Sequence, residues 1–142
     1  MSPARPSYKN KTAATLLGLL TGWCGAHRIY LRGTRDKWAW LHMAAVFATV
    51  LLMGQLGKRV DIFYPLLPVI VSAIGGFIEA LVIGLMADDK FDARYNAGSA
   101  RRNDSHWPLA LILVATMMVG ATTLIAAISR LFDLLYTGGA YG

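Results

Sequence analysis

The run from Trp107 to Ile128 (WPLALILVATMMVGATTLIAAI) carries no charged side chain. Helical at 1.5 Å per residue, it is about 33 Å long, enough to cross a hydrocarbon core of roughly 30 Å. Lipid offers no partner to a backbone amide or carbonyl, so such a run must satisfy its own hydrogen bonds, and a helix does so. Three more apolar blocks precede it, at about residues 12–26 (TAATLLGLLTGWCGA), 38–56 and 62–86. The expected fold is therefore an all-α integral membrane protein. The first block gives only about 22 Å of helix, which is too short to span. We read it as a short first helix, partial or re-entrant, followed by three transmembrane helices. The chain divides into a basic tail at 1–11, a region of three apolar blocks at 12–102, and a further transmembrane helix with a short tail at 103–142.

Composition supports a membrane reading. Hydrophobic residues make up 56% and charged residues 15% of the chain, against roughly 25% charged in a soluble domain. The net charge is +6, but the basic residues gather in short loops between apolar blocks. That pattern suits anchoring beside anionic lipid headgroups. Nucleic acid is not an expected partner, because no aromatic and basic platform for it is present. The basic start of the chain and Cys24-Gly25-Ala26 resemble a signal peptide and its cleavage site, but Trp23 is the wrong neighbour for a lipoprotein cysteine, so the block is expected to stay in the membrane.

Orientation follows from the lysines and arginines. The tail carries Arg5, Lys9 and Lys11, the first loop Arg28, Arg32, Arg35 and Lys37, the second Lys58 and Arg59, and the third Lys90, Arg94, Arg101 and Arg102. Positive residues stay in the cytoplasm, so loops 27–37 and 87–106 are expected there, with the C-terminus outside. A re-entrant first block keeps the tail inside too. Trp38, Trp40, Phe91, Tyr95 and Trp107 would then mark one interface, and Phe63, Tyr64 and Tyr136 the other. Ile29, Tyr30 and Leu31 are expected to dip into the boundary while Arg28 and Arg32 reach lipid phosphates.

Small residues recur every fourth position in two blocks: Ala14, Gly18, Gly22 and Ala26 in the first, and Gly76, Ala80 and Gly84 in the third. In lipid, helices associate by close packing of such residues, so the two stripes are expected to meet. The competing reading is that glycine and alanine are common in membrane helices.

Two ionisable residues are expected inside the membrane. Glu79 lies about 10 Å and His42 about 6 Å from the cytoplasmic edge. A carboxylate at that depth is paired, protonated or facing water. A Glu79–His42 or Glu79–Arg28 pair is geometrically open. It would serve either as a structural register lock, which we favour, or as part of a proton or substrate relay. Asp88-Asp89-Lys90-Phe91-Asp92 has the DDxxD spacing that can hold Mg²⁺ and a diphosphate, but no second acidic motif accompanies it, so it reads as a polar juxtamembrane turn. His27, His42 and His106 lack metal-ligand spacing, Cys24 has no cysteine partner, and no hydrolase motif surrounds Ser99 or Ser105. No metal, cofactor or catalytic residue is expected.

The stretch KNKTAATLLGLLTGWCGAHRIYLRG, Lys9 to Gly33, resembles the start of the TM2 domain family: a lysine-bearing lead, a glycine-rich first helix, then Gly-x-His-Arg-aromatic-Tyr-Leu-Gly. Gly25, His27, Arg28, Tyr30 and Leu31 match. Ile29 stands where an aromatic is usual, and Arg32 displaces the last glycine to Gly33. Glu79 in GGFIEALVIGLM resembles an acidic residue late in the family's second helix, though about 25 extra residues precede it. Residues 103–142 match nothing in that pattern. The resemblance implies a small integral protein of a bacterial inner membrane and implies no activity. The expected function is a non-enzymatic interaction or scaffold protein that packs against itself or other membrane proteins. The alternative is a small transport or permeation subunit built around Glu79.

Overall fold

A computed structural model describes residues 8–141, and all regular structure among them is helical. The helices are α1 (Lys11–Thr21), α2 (Ala26–Arg32), α3 (Lys37–Leu56), α4 (Phe63–Leu85), α5 (Asp88–Tyr95) and α6 (Trp107–Thr137). Three of them, α3, α4 and α6, are long and apolar enough to cross a membrane. Their starts and stops have local causes. The Asn10 side chain caps α1 by accepting from the Ala13 amide, and Asp36 caps α3 by accepting from Trp38. Asp88 and Asp89 open α5 and Arg94 closes it, each on the end of the helix dipole that suits its charge. Pro108 stands in the first turn of α6, and Gly138 ends that helix at a positive φ of 69°. The continuation expected over Ser129–Tyr136 is part of this one helix, about 46 Å long in all.

The first apolar block is not one helix to Ala26. It stops at Thr21, passes through a 3-10 turn at Gly22–Cys24, and reverses at Gly25, whose φ of 76° only glycine adopts without strain. The following residues, expected to be an interfacial loop, form α2, which runs back along α1. The Asn10 amide at the head of α1 donates to the Tyr30 hydroxyl near the end of α2, at 2.9 Å. Leu31 therefore packs inward with Ala14, Ile83 and Phe91 rather than into a lipid boundary.

Helix α4 is the hub, with α1, α3 and α6 each packed antiparallel against it. Gly22 faces Gly76, Gly18 faces Ala80, and Gly84 faces both Thr15 and Leu113. A Cβ added to Gly76 would lie 2.5–2.7 Å from the backbone of Gly22. Farther along α6, Gly120 faces Phe77. Pro68 interrupts the hydrogen-bond ladder inside α4. There α3 compensates: Thr49 Oγ1 accepts from the Val69 amide at 3.1 Å.

Hydrogen bonds gather the chain at one end of the bundle. The Lys9 and Lys11 amides donate to the side-chain oxygens of Asn96 and Asn103, at 2.7 and 2.8 Å. Lys11 Nζ donates to the Met86 carbonyl at 2.8 Å and pairs with Asp88 at 2.5 Å. The start of α1, the end of α2 and the segment from 86 to 103 thus share one end. At the other end, Arg130 of α6 pairs with Asp61 in the α3–α4 turn and with Asp133, each at 2.5 Å. Trp38, Trp40, Trp107 and Tyr136 are exposed, but Phe91 and Phe63, expected at the interfaces, are buried in the protein.

Candidate functional site

Reversal at Gly25 turns the His27 and Arg28 side chains toward α4, at the level of Glu79. Arg28 Nε donates to Glu79 Oε2 at 2.6 Å, and its Nη2 donates to Oε1. His27 Nε2 lies 2.6 Å from Oε2. Since a carboxylate oxygen accepts, this nitrogen carries the proton. His42 of α3 brings its Nε2 within 3.7 Å of Oε1, and its rings meet those of His27 edge-on with centroids 6.0 Å apart. The far side of His42 is held as well, because Nδ1 lies 2.7 Å from Ser72 Oγ, and Ser72 donates to the Trp23 carbonyl at 2.7 Å. Arg28 extends the cluster outward by donating from Nη1 to Asp36 Oδ2 at 3.0 Å. Burial pushes Asp36 up, but the Trp38 amide and Arg28 outweigh it and hold this carboxyl below its usual range. One side chain is left over: His27 Nδ1 is buried with no hydrogen-bond partner among the described residues.

Of the two pairings open to Glu79, the one with Arg28 is made by two hydrogen bonds, while His42 stands 3.7 Å off and His27 completes the cluster. Its four side chains come from α2, α3 and α4, so it ties the reversed hairpin to the long helices. The small-residue seam does the same from the other face of α1. Gly18, Gly22, Gly76, Ala80 and Gly84 all lie at the α1–α4 contact. Gly25 is pressed against α3, where an added Cβ would meet His42 and Ala39 at 3.0–3.3 Å. Tyr30 and Leu31 face the start of α1.

Two cavities meet at Glu79. One is an apolar groove of about 720 Å³ between α3 and α4, walled by alanines, Leu67, Pro68 and Val71, with His42, Ser72 and Glu79 as its polar part. The other is a smaller pocket of about 220 Å³ between α2, α4 and α5, lined by Arg28, Arg32 and Arg94 as well as apolar residues of α4.

The DDxxD carboxylates do not converge on a shared point. Asp88 pairs with Lys11 and accepts from the Ser105 amide and hydroxyl, at 2.8 and 2.5 Å. Asp92 accepts from Asn96 at 2.6 Å and from the Asn103 amide at 2.7 Å. Burial raises both carboxyls, but these donors outweigh it and hold them below the usual range. Among the described residues, no group of three or more His, Cys, Asp or Glu side chains is placed to hold a metal ion. Asn10, Asn96 and Asn103 were not singled out from the sequence. Their partners lie up to 94 positions away, and no local pattern records that distance.

Residues 7–56 match the family model of the TM2 domain. The match takes in α1, α2 and α3 and ends before α4, so Glu79 lies outside it while its partners His27, Arg28 and His42 lie within. No curated protein and no solved structure matches the chain.

Proposed function

We infer that this membrane protein with its TM2 domain is a non-enzymatic interaction protein, a rigid helical platform that associates with other membrane proteins or with a second copy of itself. One observation carries the reading. Both oxygens of Glu79 already accept from donors of the same chain, Arg28 and His27. A carboxylate so occupied serves, in this reading, as a clasp: a half-buried ion pair that fixes one arrangement of helices. The clasp and the glycine seam hold α1 to α4, while α6 keeps most of its apolar surface uncovered, including Leu111, Val114, Met118 and Ile125. That face is open to lipid or to a partner helix, and close packing rather than apolar character would decide between them.

The cationic connections support placing 33–37 and 87–106 in the cytoplasm, with the C-terminus outside; residues 27–32, expected with the first of these loops, form the returning helix α2 instead. The resemblance supports a bacterial inner membrane. Anionic headgroups would then neighbour the basic end of the bundle.

A second reading, a small transport or permeation subunit, draws on a different observation: Glu79 lines both the apolar groove and the arginine-lined pocket. Glu79→Gln separates the two. As a clasp, Glu79→Gln loosens the fold and weakens association, read as reduced cysteine crosslinking between α6 faces in membranes and a lower Tm. As a conduit, it leaves crosslinking and Tm unchanged and abolishes ion or solute flux in proteoliposomes.

A further inference from the structure

The arginine-lined pocket holds more positive charge than the chain itself neutralises. Arg28 is committed to Glu79 and Asp36. Arg32 approaches a carboxylate only at Asp36, 3.9 Å away, and 40% of its side chain is exposed. Arg94 has no carboxylate partner among the described residues; its guanidinium lies over the Tyr95 ring, 5.6 Å from the centroid. Two guanidiniums from different helices, α2 and α5, thus border a pocket of about 220 Å³ with N–H groups to spare. Below them the lining turns apolar, through Val82 and Ile83 of α4 and Met86 just past its end.

That apolar wall continues outside the pocket. Along one stripe of α4, Leu85, Val82, Ile78 and Val71 are 72, 57, 57 and 65% exposed. Their spacing of three, four and seven keeps them on one helix face. An anion site therefore sits at the head of an uncovered apolar rail on a helix apolar enough to cross a membrane. A free anion would use only the first, and a hydrocarbon chain only the second.

We propose that this pocket binds one anionic glycerophospholipid, its phosphate held by Arg32 and Arg94 and one acyl chain laid along Val82 and Ile78. Guanidinium groups engage phosphate through paired N–H donors, and such bonds are roughly twice as strong as neutral ones. A zwitterionic lipid is a poorer fit, since its quaternary ammonium brings a third positive charge toward the two arginines. The site does not depend on what the protein associates with, so its failure leaves the clasp and the interaction reading untouched.

The test uses the full chain in mild detergent, titrated with phosphatidylglycerol or phosphatidylcholine and read by native mass spectrometry and Tm. Phosphatidylglycerol is expected to bind about tenfold more tightly and to raise Tm through its selective binding to the folded state. The Arg32→Gln, Arg94→Gln double variant is expected to lose that preference; both side chains are exposed, so its lipid-free Tm falls only slightly. Arg59→Gln, at the other end of the bundle, keeps the preference. Equal binding of the two lipids overturns the proposal, as does a preference that survives in the double variant. A Tm rise from millimolar inorganic phosphate that equals the lipid's also overturns it, because the apolar rail would then contribute nothing.

Discussion

Replacing Gly76 with alanine tests the α1–α4 seam most sharply, because the residue gains only one carbon. That carbon would lie 2.5 Å from the carbonyl carbon of Gly22, 2.6 Å from its Cα and 2.7 Å from its oxygen. Carbon atoms sit comfortably at about 3.5–4.0 Å, so the two backbones must separate by roughly 1 Å. The neighbours are main-chain atoms, which cannot swing aside as a side chain would. Overpacking of this kind costs about 1–3 kcal/mol. Alanine also favours the helix by up to about 1 kcal/mol over glycine, which leaves a net loss of up to about 2 kcal/mol. Gly54 in α3 provides the control, since nothing lies within 4 Å of a Cβ added there, and Gly54→Ala should stabilise by about 0.5–1 kcal/mol. Unfolding in mixed micelles with rising sodium dodecyl sulfate, followed by tryptophan fluorescence, reads both. Opposite signs are expected. If Gly76→Ala is as stable as the wild type, or shifts in the same direction as Gly54→Ala, the seam is not a close contact and the stripes reflect ordinary membrane-helix composition.

Other perturbations follow from the same geometry. Glu79→Ala leaves Arg28 and His27 without their carboxylate, and since neither Glu79 nor Arg28 is fully buried the expected loss is about 2–3 kcal/mol, at the low end for a broken buried pair; adding Arg28→Met should recover part of it in the same unfolding assay. Thr49→Val removes the acceptor for the Val69 amide beside Pro68 and should cost about 1 kcal/mol; an unchanged midpoint would mean that the amide finds another partner. Asp88 and Asp92 are held below the usual carboxylate range, so the stability they contribute is fully present above about pH 3.9 and is lost as pH falls through their lower folded values. Tm in detergent should therefore hold from pH 7 to 5 and fall below about pH 4, with a shallower fall for Asp92→Asn; equal slopes for variant and wild type would contradict this.

Much of the architecture was legible from local pattern. The three long helices follow from uninterrupted apolar length, and their bounds shift by only a residue or so, except that α6 runs on to Thr137. The seam follows from fourfold spacing, because small residues at that period line one face of a helix. The reversal at Gly25 was not legible in this way. A glycine amid apolar residues fits a membrane helix as well as a turn, and what decides between them is the docking of α2 against α1, α3 and α4. Phe91 misled for a related reason. Beside Asp and Lys it resembles an interfacial aromatic, yet α5 turns it into the core because Asn96 and Asn103 tie that segment to Lys9 and Lys11. Of the site, the depth of Glu79 and His42 pointed to a pair. His27 joined them only through the reversal, which sends the residue after Gly25-Ala26 back toward α4.

A first apolar segment that enters and returns puts the chain before α1, the α2–α3 connection and the segment after α5 on one side of the bilayer. Single cysteines at Ser2, Thr34 and Ala97, with Lys58 as the opposite marker, can be placed in a Cys24→Ala background and exposed to a membrane-impermeant maleimide in oriented proteoliposomes. The expected result is one common labelling pattern for positions 2, 34 and 97 and the reverse pattern for 58. Labelling of position 2 from the same side as 58 would mean that the first segment crosses the membrane, and neither the hairpin nor its clasp on Glu79 could stand.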